Sequence, residues 1–287
     1  MAYLWRENHG IYFDDNSEGE AIITIHGFAE SGMYWSRTGV SSGLVDAGYR
    51  VIDMDMRGHG RSVPIGDDPG YDVDSVASDF AALADHLGIE RFHLLTHATG
   101  GMAALRYAMN DSSRLISLMS TDTGAATAPN DEFCAPEFDG TVQPCKDPTP
   151  KPATPPARRT TDENMREARK GDGGPFLNRL NANPDPDRCW QWTTEILATG
   201  NLAYRGDFAR TFYLDPNHYA DRCRGITCPS LVLLGEHDVM FVKAGELLAR
   251  TIPNVKHVVM PGLGHMTAIE DPDGTLREVR DFLGGLS

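Results

Sequence analysis

The sequence predicts a doubly wound α/β fold, in which a mostly parallel sheet carries helices on both faces and a helical lid is inserted above its carboxyl edge. Apolar, β-rich runs recur at residues 21–25, 50–54, 92–96, 115–119, 230–234 and 257–260. Runs that are continuously apolar, and do not alternate, belong to strands covered on both sides. Helical patterns lie between them, and alternating strand and helix is the signature of a layered α/β sheet. The alternation breaks once, between about 124 and 221.

Taken in order, residues 3–13 form an opening hairpin with Gly10 near its turn. Residues 73–87 place Val76, Phe80, Leu83 and Leu87 at helical spacing, with Asp72 or Asp74 as the N-cap. Residues 242–250 and 275–283 are the other clear helices. The break opens with eight prolines between Pro129 and Pro156, a density that prevents regular helix or sheet. From Thr161 to Tyr213 helical character returns with Trp190, Trp192, Tyr204, Phe208, Phe212 and Tyr213. The division expected is a core of residues 1–123 and 222–287 and a lid of residues 124–221, inserted between the sixth and seventh strands.

With 287 residues and 40% hydrophobic content the chain can bury one large α/β core. A formal charge of −15 argues against nucleic acid or an anionic membrane as partner. No apolar run approaches the roughly 20 residues that span a bilayer. The first residues lack the pattern of a signal peptide, so a cytoplasmic location is expected. Cys134, Cys145, Cys189, Cys223 and Cys228 have no CxxC spacing, so no metal site is expected. Cys134 with Cys145, or Cys223 with Cys228, could close a short loop, but free thiols are the expectation in a reducing compartment.

The chemistry is concentrated in five short motifs. His26-Gly27-Phe28 follows the first long strand, and a turn from Asp53 to Ser62 contains Arg57-Gly58-His59-Gly60. Thr96-His97-Ala98-Thr99-Gly100-Gly101 joins a buried strand to a helix, with small residues where a tight elbow needs them. Gly235-Glu236-His237-Asp238 follows the penultimate strand, and Gly264-His265 the last. In this order the motifs resemble the α/β-hydrolase superfamily over nearly the whole chain outside the lid. The resemblance implies the α/β-hydrolase fold and a nucleophile at the centre of the elbow, position 98, where this chain has alanine. A methyl group attacks nothing, so the chain is either a hydrolase disarmed at its nucleophile or a relative that has given up covalent chemistry.

A serine hydroxyl needs a hydrogen-bonded base, and the base needs an orienting carboxylate. His265 fits the base and Asp238 the acid, in the chain order of that superfamily. Asp122, just after the strand that follows the elbow helix, is the alternative acid, and Glu236 the third choice. The backbone N–H groups of Phe28 and Thr99 are the expected oxyanion donors. His26 is expected to pin its loop. The Asp53–Ser62 turn is read as structural, held by a pair between Arg57 and Asp55. Gly100-Gly101 is read as a packing feature.

Serine is the residue expected at position 98. His26 to Ser31 is also similar to the H-G-F-P-E-S run of epoxide hydrolases, which with the dehalogenases have Asp at the elbow. Thr99-Gly100-Gly101 and the absence of proline at position 29 weigh against them. Met33, Tyr34, Trp35, Trp190 and Trp192 are expected to line an apolar pocket. The activity expected is hydrolysis of a small, moderately hydrophobic ester or lactone, without a cofactor. Cleavage of a C–C bond beside a ketone is an alternative, as is ligand binding without catalysis.

Overall fold

The computed structural model describes residues 2–15, 17–124, 161–171, 173–201, 203–213 and 220–286. The proline-rich stretch, with Cys134 and Cys145, lies outside the described residues. The strands are β1 (Ala2–Trp5), β2 (His9–Asp15), β3 (Glu20–Ile25), β4 (Tyr49–Met54), β5 (Val63–Pro64), β6 (Phe92–His97), β7 (Leu115–Thr121), β8 (Ser230–Gly235) and β9 (Val255–Met260). They form a single sheet in the order β1-β2-β4-β3-β6-β7-β8-β9, with β5 on β2. From β4 to β9 every pairing is parallel, whereas β2 pairs antiparallel with β1, β4 and β5. The six apolar runs are therefore the parallel body of the sheet. Adding the two-residue β5 to the count puts the insertion between the seventh and eighth strands.

The helices are α1 (Met33–Arg37), α2 (Val40–Asp46), α3 (Val73–His86), α4 (Ala98–Asn110), α5 (Thr161–Lys170), α6 (Gly174–Leu177), α7 (Pro186–Thr199), α8 (Arg205–Phe212), α9 (Val242–Thr251), α10 (Thr267–Glu270) and α11 (Pro272–Gly284). Asp72 caps α3 by accepting from Ser75 N–H, which settles the choice between Asp72 and Asp74. One apolar cluster joins α3, α4 and α9 to one face of the sheet, and a second packs α2, α7 and α11 against the other. Two covered faces are the reason β6, β8 and the inner half of β4 are buried along their length. Among the described residues no helix is long and apolar enough to cross a membrane.

Two local expectations change. The hairpin turn lies at Arg6–Asn8, closed by Arg6 N–H to His9 C=O at 2.8 Å. Gly10 is instead in β2 opposite Trp5, where a Cβ would come within 2.6 Å of the Trp5 ring. In the 53–62 turn, Arg57 pairs with Asp79 of α3, its NH2 group 2.7 Å from Oδ1. Asp55 accepts from the Gly32 and Arg61 amides and pairs with Arg61 at 3.1 Å. The turn is thus tied to α3 and to the loop before α1, because a buried guanidinium and a buried carboxylate each found a closer partner than the other. Cys189, Cys223 and Cys228 are free, so the 223–228 loop is not cross-linked.

Candidate active site

The elbow between β6 and α4 has the strained backbone of a tight strand-to-helix turn. Ala98 has φ +46°, a left-handed conformation that costs an L-residue roughly 1–2 kcal/mol. Thr123 holds it by donating its hydroxyl to the Ala98 carbonyl at 2.6 Å. Gly100 lets α4 close on the preceding loop, since a Cβ there would lie 2.4 Å from the His26 carbonyl oxygen. His26 does pin that loop. Its Nδ1–H donates to the Gly27 carbonyl at 2.7 Å and its Nε2 accepts from Met56 N–H at 3.0 Å. Burial lowers its pKa to about 4, which keeps the ring neutral.

Three strand ends converge here. His265, on the loop after β9, sets Nδ1 3.0 Å from Asp238 Oδ2, on the loop after β8. The other Asp238 oxygen accepts from the Met240 and Phe241 amides, so both oxygens are fixed and both residues are buried. Gly235 lets the two loops touch, because a Cβ there would meet the Gly264 carbonyl oxygen at 2.0 Å. Burial pulls the His265 pKa down, but the charge and hydrogen bond of Asp238, with Asp122 and Glu30 beyond, outweigh it and raise it to about 9.

Asp122 takes a different place. Its Oδ1 accepts from Gly235 N–H at 3.2 Å and its Oδ2 from the Thr267 hydroxyl at 2.6 Å. It sits 3.6 Å from His97 Nδ1 and makes no hydrogen bond with His265 among the described residues. Burial, with the nearby charge of Asp238, pushes its pKa well above the usual carboxylate range. Glu236 accepts from Gly262 N–H near the surface.

A cavity of about 450 Å³ opens over the elbow. Ala98, His265, Phe28 and Thr99 all line it. The Thr99 N–H, in the first turn of α4, has no intrahelical acceptor, and that of Phe28 pairs with no described residue. Phe176, Leu177, Met240 and Phe241 make the walls apolar, and Arg205, Glu30 and His265 are the ionisable groups on them. Tyr213, after α8, ties the inserted segment to the elbow through a 2.6 Å hydrogen bond with the Thr99 hydroxyl.

None of the five side chains expected to bind substrate reaches this cavity. Trp35 is in the core with its Nε1–H on the Ile25 carbonyl at 3.0 Å, and Tyr34 stacks at 4.1 Å on the buried His97 ring. Met33 packs on that same cluster. Trp190 is buried and donates to Asn181, while Trp192 lies under Arg37 and Arg188. The reason is α1, which turns its aromatic side chains back onto the sheet, and α7, which uses its tryptophans to seat the insertion. The pocket is walled instead by Phe176, Tyr213 and Phe241, of which Phe176 and Phe241 have ring centroids 5.2 and 5.4 Å from that of His265.

Two carboxyl groups also escaped sequence reasoning. Glu270 clamps the His265 loop, accepting from Gly264 and Met266 amides at 2.8 and 3.1 Å. Glu30 faces the cavity and accepts from Gly27 N–H at 2.7 Å. Only the second had a signal, its place four residues after His26.

The profile of the family described as the alpha/beta hydrolase fold matches residues 20–272. The chain belongs to the α/β-hydrolase family. It is 27% identical over 285 residues to a non-heme haloperoxidase of Rhodococcus erythropolis, covering 95% of each chain. It is 28% identical over 274 residues to a fluoroacetate dehalogenase of a Burkholderia species, covering 92% of this chain and 87% of the other. Among solved structures it is similar in fold to a thermophilic esterase from Thermogutta terrifontis, with TM-score 0.69 and 24% identity over 97% of this chain and 94% of that one.

Proposed function

We propose that this α/β-hydrolase is built to cleave a small, moderately hydrophobic ester or lactone, with Ala98 standing where the nucleophilic serine is expected. The observation that carries the reading is the 3.0 Å contact of His265 with Asp238 on the cavity over a left-handed Ala98. With serine at position 98, the neutral form of His265 would take the hydroxyl proton as oxygen attacks the carbonyl, and later return it to the leaving alcohol. The Phe28 and Thr99 N–H groups would receive the oxyanion, each worth roughly 3 kcal/mol in comparable sites. Residues 124–221 act as the lid, and their part of the cavity wall, Phe176 and Leu177 with Tyr213, favours an apolar acyl or alcohol group. A ligand-binding protein without chemistry has no need of a buried imidazole–carboxylate pair.

The test compares Ala98→Ser with the chain as it stands on short and medium p-nitrophenyl esters and on lactones. Acyl-enzyme formation and turnover by the serine form support the reading. No turnover on any of these by the serine form rejects it.

A further inference from the structure

Glu30 is a buried carboxyl group, 3% exposed, on the wall of the reaction cavity. One oxygen, Oε2, is spoken for by Gly27 N–H at 2.7 Å. The other, Oε1, lies 3.7 Å from His97 Nε2, too far for a hydrogen bond. That nitrogen is itself buried without a hydrogen-bond partner. Glu30 Oε1, on the cavity wall, and this unpartnered nitrogen together offer a seat for one water molecule, which can hydrogen-bond to both. The seat is beside the elbow. A Cβ added to Gly27 would be 2.9 Å from Glu30 Oε2 and 3.1 Å from the Ala98 methyl, so the carboxylate and the methyl are within about 6 Å of each other.

We propose that Glu30 is a catalytic general base in this chain, activating a water for direct attack on an ester carbonyl, with His265 as the general acid. The proposal rests on the reading of the cavity as the site of ester cleavage, and it supplies the nucleophile that Ala98 does not. Glu30 Oε1 takes a proton from the water as the water oxygen bonds to the carbonyl carbon. The tetrahedral oxyanion collapses and the ester C–O bond breaks with its electron pair on the departing alkoxide. The alkoxide takes the Nε2 proton of His265. The acid product ionises, and Glu30 and His265 return to their starting forms by exchange with solvent.

The protonation states suit these roles. Burial raises the Glu30 pKa, the Gly27 hydrogen bond and the charge of His265 lower it, and it settles at about 7. His265, at about 9, remains an imidazolium above that. Between the two values the base is ionised while the acid is protonated. The groups near Glu30 are His97 on the elbow with Asp122 beyond it, Tyr34 on α1, Tyr213 after α8, and His265, and Arg205 shares the cavity wall. Burial keeps His97 neutral and Tyr34 and Tyr213 protonated through this range.

The test is the pH–rate profile for p-nitrophenyl acetate of the chain as it stands, beside Glu30→Gln and Glu30→Ala. Gln retains an oxygen for Gly27 N–H, and thermal melts establish that each variant is folded. The expected profile is a bell with limbs near the two values above and with no acyl adduct by mass spectrometry. Glu30→Gln should lower the rate about 100-fold and remove the limb on the acid side, and formate should restore turnover to Glu30→Ala. A folded Glu30→Gln that keeps rate and limb overturns the proposal, as does absence of turnover above buffer by the chain as it stands. If Ala98→Ser is active while the unaltered chain is silent, the base role of Glu30 fails and the ester-hydrolase reading stands. Silence in both removes both.

Discussion

Replacing Asp238 by asparagine tests the centre of the site through a quantity that needs no substrate. The imidazole of His265 is buried, and burial by itself would draw its pKa below 6.5. It is raised to about 9 instead, chiefly by the charge of Asp238 and the hydrogen bond to it. The interval from 6.5 to about 9 corresponds to roughly 3 kcal/mol favouring the imidazolium. An asparagine side chain would still offer an oxygen to the Met240 and Phe241 amides, but, being neutral, it cannot balance the buried cation. Asp122 and Glu30 contribute less to the shift than Asp238 does, so the substituted protein should titrate His265 below about 7, by histidine-selective NMR.

Stability follows the same linkage. A group whose pKa rises on folding stabilises the fold fully below its unfolded value and loses that contribution as pH climbs through the folded value. Asp238→Asn should therefore cost about 2–3 kcal/mol in urea unfolding at about pH 6, with the deficit shrinking between pH 6.5 and about 9 and small at about pH 10. An unmoved His265 titration in Asp238→Asn, together with a collapse in Asp122→Asn, would transfer the orienting role to Asp122 and refute the argument.

Other substitutions separate packing from chemistry. Trp35→Ala should lower stability by about 3–5 kcal/mol in urea unfolding, because the ring is fully buried with its N–H on Ile25. A drop in substrate affinity with unchanged stability would return Trp35 to the pocket. Ala98→Gly should cost nothing and could add up to about 1 kcal/mol, since glycine relieves the positive φ; a loss above about 1 kcal/mol in the same assay would deny the strain. Arg205 lines the cavity with its guanidinium 5.8 Å from the Phe28 ring. In the background of Ala98→Ser, Arg205→Gln should lower kcat/KM for an ester bearing a carboxylate about tenfold more than for its neutral analogue, and equal losses would remove it from substrate recognition.

The inner strands of the sheet are readable because burial on both faces makes them apolar runs, whereas β9, at the edge, is only partly buried. The loops that carry Asp238 and His265 are readable because each follows an apolar run. His265 and Asp238 belong to different loops, and only the strand order β7-β8-β9 makes those loops neighbours. The pocket walls were harder, because an aromatic side chain gives no sign of which way its helix turns. Tyr34 and Trp35 sit on a five-residue helix whose rotation is set by contacts with His97 and the Ile25 carbonyl. Arg57 and Asp55 show the same limit: adjacency in a turn suggested a pair, whereas Asp79, 22 residues away in α3, takes the guanidinium. Glu30 is one carboxylate in a loop of the sequence, and only the fold buries it beside the elbow.

The cost of this arrangement is itself an argument about purpose. Glu30, Asp122 and Asp238 are three buried carboxyl groups around two buried imidazoles, His97 and His265. Apolar residues of similar volume in their place would commonly be neutral or stabilising, and glycine at position 98 would relieve the strained elbow. A fold selected only to be stable has no use for either feature. Both fit a site that manages protons beside a carbonyl. Alanine at position 98 offers no side-chain oxygen for attack, while Glu30, Asp122, Asp238 and His265 remain buried beside it. If hydrolysis persists with alanine at position 98, Glu30 is the carboxyl group on the cavity wall placed to begin it, because a His265 that serves as the acid of that route cannot also be its base.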